Sequence, residues 1–392
     1  MSRPFDEELN LYDLHSAKWT QYKTREILPM ANADMDVKSP DCVIEACVRA
    51  AQVGYFGYTN WADDFYISIA GWYERHHNWK IDPDWICSGP GIWSSMRMFC
   101  GAMTKPGDSI IVQSPTFGPI PPIIKDCGCR VIANPMILKN GRYELDFEDF
   151  ERKIIDYRPK IYIMINPQNP TGRAFTKEEL IRLNDICYRH GVLVIADEVH
   201  CNVIREGYTH YPNASVSDAA RKNTVIITSA SKGYNIMGMS YATVIIPNPE
   251  IREQWLKIMK VYGLDFAFNV ISVAAVTAAM SEKADDWLKE VNQHVGENLL
   301  ETLEFFKEKI PEIQLIYPEA GYLIWMDCRG LGMSQSELKK LFLEEAKVGV
   351  TLGEIFGVEG IGFERLNIGV TKSVLREGLN RIYRAVDAHR RK

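Results

Sequence analysis

The sequence predicts a three-layer α/β/α fold on a mostly parallel sheet, with a smaller α+β domain attached. Three observations carry this. Short, near-continuous apolar runs rich in β-branched residues recur at 109–113, 161–165, 192–196 and 225–228, with one more at 241–246. Helical patterns lie between and around them, and continuous rather than alternating apolar strands joined by helices mark a sheet covered on both faces. The first four runs lead into Phe117, Asn169, Asp197 and Lys232 in turn. Open α/β sheets bind ligands beyond the carboxyl ends of their strands, so these four side chains are expected at one site.

At 392 residues the chain is too long for one small core. The expected division is an N-terminal arm over 1–48, a large domain over 49–284 and a small domain over 285–392. The arm is polar and irregular, with prolines at 4, 29 and 40. Ser39-Pro40-Asp41 opens a helix. Residues 54–59 form a glycine-punctuated aromatic loop. An amphipathic helix is expected over 62–79, with Phe65, Ile69, Trp72 and Tyr73 on one face. His76 and His77 are adjacent, so they do not share a face, and they read as surface residues rather than metal ligands. Thr176-x-x-Glu179 is a capping box opening the helix between the second and third runs. After 247 the pattern is helical to about 310, and a helix near 285–308 is the entrance to the small domain. Ser334-x-x-Glu337 caps a further helix.

Composition removes several function classes. The net charge of −6 argues against nucleic acid and anionic membrane as partners. No apolar run approaches the ~18 residues of a membrane span. The acidic first residues lack the apolar core of a signal peptide, so the cytoplasm is the expected location. Nine cysteines, without Cys-x-x-Cys spacing, read as buried thiols in a reducing compartment rather than disulfides or zinc ligands.

The residues at the strand ends suit one cofactor. Alone, Lys232 would be an ordinary solvated lysine. Beside Asp197, Asn169 and Phe117 it fits pyridoxal 5'-phosphate: a lysine amine can hold the aldehyde as a Schiff base. A buried aspartate keeps the pyridinium nitrogen protonated so that the ring is an electron sink. Asn169 can donate to the ring's phenolic oxygen and Phe117 can stack on its face. The phosphate needs backbone amides at a helix N-terminus, and Ser88-Gly89-Pro90-Gly91-Ile92-Trp93-Ser94 has that form before an apolar helical stretch. Ser229 can add a hydroxyl.

Asn169-Pro170-Thr171-Gly172, Asp197-Glu198-Val199-His200, Ser229-Ala230-Ser231-Lys232 and Phe363-Glu364-Arg365-Leu366-Asn367 together resemble the fold-type I pyridoxal phosphate enzymes of the aminotransferase class I/II superfamily. Ala33-Asp34-Met35-Asp36, Phe56-Gly57-Tyr58-Thr59 and Lys232-x-Tyr234-Asn235-Ile236-x-Gly238-Met239 extend the likeness toward its carbon–sulfur lyase branch, the cystathionine β-lyases and cystalysins. The resemblance implies that Lys232 is the Schiff-base lysine and catalytic base, and that Asp197 is the pyridinium partner. Asn169 lies at the phenolic oxygen, and Gly91, Ile92 and Ser229 at the phosphate. Arg365 clamps the substrate α-carboxylate, a task suited to a bidentate guanidinium. Tyr58 reaches the phosphate of a neighbouring subunit, which implies a homodimer with shared sites. His200 stands where many aminotransferases have tyrosine, in agreement with the lyase branch.

The sequence departs from that branch in places. Phe117 replaces a common tyrosine, keeping the stack and losing the phenol. Gly118 follows where a larger residue can occur, which implies a roomier pocket or an altered acid–base relay. Ser240, eight residues after Lys232, takes the place of a phosphate-binding arginine of many aminotransferases. Asp265-Phe266 falls near the expected dimer interface. The function expected is β-elimination from cystathionine or another cysteine S-conjugate, giving a thiol, pyruvate and ammonia. The alternative is an aminotransferase acting on an amino acid and a 2-oxo acid. A pyridoxal-phosphate-binding regulator lacks support, since no basic run or added module is present.

Overall fold

The structure, a computed structural model, describes residues 5–266 and 268–391. Its centre is a seven-stranded sheet of β1 (Ile86–Gly89), β2 (Ser109–Ser114), β3 (Arg130–Pro135), β4 (Ile161–Ile165), β5 (Leu193–Asp197), β6 (Thr224–Thr228) and β7 (Ala242–Ile245). The strands lie in the order β1-β7-β6-β5-β4-β2-β3. β7 runs antiparallel to β1 and β6, and the remaining pairs are parallel. Every residue of β2 and of β4 to β7 is buried, as their unbroken apolar character requires. Alternate side chains enter opposite cores: Tyr162 and Met164 pack on one face, Ile161, Ile163 and Ile165 on the other.

Helices cover both faces. Those that shape the site are α1 (Asp63–His77), α2 (Ile92–Met103), α3 (Lys177–Arg189) and the single turn α4 (Ser231–Tyr234). The Thr176–Glu179 capping box at α3 forms with both reciprocal bonds. On α1, His76 pairs with Asp285 at 2.9 Å. His77 departs from the surface reading. Its Nε2 is sealed from solvent without a partner, and its ring packs on Trp72, Tyr73 and His210. The amphipathic face of α1 is wide enough to take it in.

A 25-residue helix α5 (Asp285–Lys309) leads to a four-stranded antiparallel sheet. It comprises β8 (Gln314–Ile316), β9 (Leu323–Asp327), β10 (Thr351–Leu352) and β11 (Phe363–Asn367) in the order β8-β9-β11-β10. The arm joins this part of the chain, since Leu28–Pro29 pairs in parallel with Val348–Gly349. Ser334 and Glu337 form the second capping box. All nine cysteines are free; six are buried and Cys42, Cys47 and Cys127 are half-buried.

Candidate active site

The register of the central sheet brings three strand ends level. Ile165 pairs with Asp197, and Asp197 with Ile227. Beyond them lies a cavity of about 490 Å³ bordered by Gly91, Ile92, Phe117, Asn169, Asp197, His200 and Lys232. Seven of the expected site residues therefore share one cavity.

Lys232 sits in α4, one turn after β6 ends. Its Nζ donates to the Ala33 carbonyl at 2.6 Å. Burial lowers the amine to about 8, against the pull of Asp34 and Asp197. Asp197 is buried at the end of β5 and its Oδ1 accepts from the Val199 amide at 3.1 Å. Burial pushes this carboxyl up to about 7, although the Val199 amide and Lys232 favour its charged form. Burial, with the charges of Lys232 and Arg365, lowers the His200 ring to about 3, so it is neutral at pH 7.

Arg365 comes from β11. Its Nη1 donates to Asn169 Oδ1 at 2.8 Å, and its Nη2 donates to the Ala31 carbonyl and Thr351 Oγ1, each at 3.2 Å. Its Nε is buried without a partner. Burial lowers the guanidinium to about 10, which leaves it charged at neutral pH. The Phe356 ring lies 5.0 Å beneath it. With Oδ1 engaged by Arg365, Asn169 keeps its amide hydrogens for the cavity.

Gly91 is the N-cap of α2 at φ +131°, a backbone conformation suited to glycine, and no side chain caps the helix. Ile92, Trp93 and Ser94, the first turn of α2, border the cavity. Phe117 is half-buried with its ring 5.5 Å from that of Trp93. Ser229 is buried at the end of β6, where its Oγ accepts from the Ser231 amide at 3.1 Å; Ser94, Ser231 and Ser240 border the cavity and Ser229 does not. Tyr58 is 83% exposed and borders neither this cavity nor an adjacent one of about 220 Å³; its ring lies 5.9 Å from Phe266. Phe266, rather than the exposed Asp265, borders that second cavity.

The roomier pocket expected at Gly118 is not there. A Cβ at 118 would stand 2.8 Å from the Ile355 carbonyl oxygen. The turn Gly353–Phe356 occupies that space, and the Thr116 amide donates to the Phe356 carbonyl at 2.9 Å. Trp93, within the stretch expected at the phosphate, lines the cavity, as do Ala33 and Tyr241, of which residue types at strand ends gave no sign. For Ala33 the signal was the Ala33-Asp34-Met35-Asp36 stretch, which marked the resemblance without showing its place.

This donor set fits pyridoxal phosphate. It offers a lysine amine for the aldehyde, a carboxylate able to share a proton with a ring nitrogen, an amide for the phenolic oxygen, an aromatic face and an uncapped helix N-terminus. A family model described as aminotransferase class I and II matches residues 25–382. The cystathionine beta-lyase PatB of Bacillus subtilis is 34% identical over 386 residues, covering 97% of this chain and 99% of that protein. Cystalysin from Treponema denticola, whose crystal structure contains pyridoxal 5'-phosphate, superposes with a TM-score of 0.94 at 29% identity, covering 99% and 100% of the two chains. A PLP-bound protein of Clostridium difficile, provisionally named an aminotransferase, gives a TM-score of 0.95 at 32% identity over 98% and 100%. Sheet order, cavity and likeness agree along the whole chain, which belongs to the aminotransferase class I and II family.

Proposed function

We propose that this chain is a pyridoxal-phosphate-dependent carbon–sulfur β-lyase, cleaving cystathionine or a related cysteine S-conjugate to a thiol, pyruvate and ammonia. The observation that carries the reading is the buried Lys232 amine, lowered to about 8, in a cavity shared with Asp197 and Asn169, the partner of Arg365. It stands in a chain similar along nearly its whole length to a cystathionine β-lyase.

When bound, pyridoxal phosphate supplies an aldehyde that takes up amines and a ring that accepts the electron pair released at the α-carbon. Lys232 would supply the amine that holds it, Asp197 would hold the ring nitrogen, and Asn169 would donate to the phenolic oxygen. Phe117 and His200 would pack against the ring. The amides after Gly91, with Ile92 first, would hold the phosphate, and Ser229, set back from the cavity, would support that end of the site through the Ser231 amide its Oγ accepts from. Arg365 binds the substrate α-carboxylate and so sets the direction of the Cα–H bond. The Lys232 amine takes that proton, and its lowered basicity leaves part of it neutral at pH 7. The Cα–H electron pair ends in a Cα–Cβ double bond as the Cβ–S bond breaks. Sulfur leaves with its bonding pair and gains a proton, and the enamine released hydrolyses to pyruvate and ammonia.

The same reading includes a homodimer. Tyr55, Phe56, Tyr58 and Phe266 are all more than half exposed, and the Tyr58 and Phe266 rings lie 5.9 Å apart, which leaves an apolar surface on and beside this loop. A second copy covering it would carry Tyr58 to the neighbouring phosphate. No helix among the described residues is long and apolar enough to cross a membrane, and a cytoplasmic enzyme of amino-acid metabolism is part of the proposal.

The test is a paired product assay on the holoprotein. Cystathionine should yield pyruvate and free thiol, while an amino acid without a β-leaving group, given a 2-oxo acid, should yield no amino transfer. Transfer without thiol release would move the assignment to an aminotransferase.

A further inference from the structure

Residues 30–35 form a strap that borders the cavity at Ala33, and each of its carbonyls has a partner from elsewhere in the chain. Met30 accepts from the Asn367 amide, and Ala31 from Thr351 and Arg365. Asn32 and Asp34 accept from the Asn367 side chain, and Met35 from Asn235. Ala33 accepts from Tyr322 Oη at 2.8 Å and from Lys232 Nζ at 2.6 Å. The Ala33 carbonyl is thus where the strap meets the amine.

One further clamp carries charge. Lys18 and Asp36 are buried, at 0% and 3% exposure, with Nζ 3.0 Å from Oδ2. Lys18 Nζ also donates to the Asp34 carbonyl at 3.1 Å, and Trp19 Nε1 donates to Asp36 Oδ1 at 2.9 Å. Desolvating two charges costs much of what their attraction returns, so an apolar pair would serve the fold about as well. What the charges add is direction: the lysine reaches a strap carbonyl one residue from Ala33.

We propose that Lys18 and Asp36 are positioning residues for catalysis: they lock the strap so that the Ala33 carbonyl aims the Lys232 amine at the reacting carbon. This rests on the reading that Lys232 moves the α-proton. A strap freed at Asp34 lets Ala33 drift, and a displacement of the acceptor misdirects the base while the carboxylate clamp at Arg365 still binds.

The test uses the holoenzyme and L-alanine in deuterated water, with exchange of the α-proton followed by NMR. The variants are Lys18→Met with Asp36→Leu, which removes both charges, and Asp36→Asn, which keeps the Trp19 bond. Exchange should slow by about tenfold or more with KM within about twofold. Pyridoxal phosphate, followed by its absorbance, should also leave the variants several-fold faster on dilution, because a misaimed amine recaptures it slowly. A folded variant with unchanged exchange or unchanged cofactor loss overturns the proposal. So does failure of both variants to fold, which would make the pair a requirement of the fold. Lys232→Ala separates the two readings: if it exchanges normally the base assignment fails, whereas loss of exchange there with normal exchange in the folded pair variants fails the strap alone.

Discussion

Asp197 and Lys232 stand at the ends of neighbouring strands, β5 and β6, whose pairing is fully buried. The other side of the site is built from Ala33 of the N-terminal arm, which borders the cavity, and from Arg365 of β11, which lies behind Asn169; side-chain clamps hold them: Asn367, Tyr322, Thr351 and Asn169. The first wall takes its geometry from the length and register of apolar strands, so it keeps its shape when a functional side chain is cut away. The second is held by single polar contacts between distant segments, so each loss moves something. Substitutions on the first wall should therefore remove chemistry and leave the fold; those on the second should displace the substrate.

The largest effect is expected on the first wall. Lys232→Ala should lower kcat/KM for cystathionine by about 10³-fold or more, since it removes the proposed base. Its far-UV circular dichroism should match the parent's. A loss below about tenfold would remove Lys232 from the mechanism.

Asp197 tests the same wall by linkage. Its carboxyl is raised from 3.8 to about 7 by burial. The folded chain therefore holds this proton more tightly than the unfolded one, and the associated stability is present below about pH 4 and lost as pH rises to about 7. In protein stripped of cofactor, Asp197→Asn should gain stability over the parent across that window, on the order of 2–4 kcal/mol. Urea unfolding at several pH values reads the difference. With cofactor bound, a charged ring nitrogen offsets the penalty and the gain should shrink. A difference that does not vary with pH would mean that Asp197 does not titrate in this range.

On the second wall, Arg365→Lys keeps the charge and loses the fork that reaches Asn169, Ala31 and Thr351 together. A fall in kcat/KM of about 50-fold, carried mainly by KM, is expected. A kcat effect with unchanged KM would place Arg365 in the chemical step rather than in carboxylate binding.

The two walls also differ in how much of them could be read from the sequence. Strand runs ending in Asn169, Asp197 and Lys232 are local patterns, and the buried parallel sheet turns each directly into a position. The capping boxes at Thr176 and Ser334 are equally local and form as spaced. Lys18 gave no such signal, because its partners Asp34 and Asp36 become neighbours only when the arm folds back. The same holds for Glu319, which accepts from Arg142 Nε at 2.7 Å, Arg173 Nε at 3.2 Å and the Ala174 amide at 2.9 Å, tying β9's approach to the loop after Asn169. His77 read as exposed because adjacency on a helix says nothing about how wide the buried face is.

Gly118 gives the smallest effect and the sharpest discrimination between local and distant causes. From the sequence alone a glycine there means space; in the fold it means that Ile355 needs the space. Gly118→Ala must push the Gly353–Phe356 turn outward, since its Cβ would stand 2.8 Å from a backbone oxygen rather than from a side chain that can rotate away. The cost expected is about 1–2 kcal/mol of stability, within the range for overpacking. The turn also carries Phe356, whose ring underlies the Arg365 guanidinium. Displacing it should raise KM about two- to fivefold with kcat nearly unchanged, by loosening the clamp rather than crowding the substrate. Comparing cystathionine with S-methylcysteine separates the causes. A shifted clamp raises KM for both in the same proportion, because both present the same carboxylate. A rise confined to the bulkier substrate would mean that the added methyl group faces the cavity, and that this part of the second wall is shaped by its own residue after all.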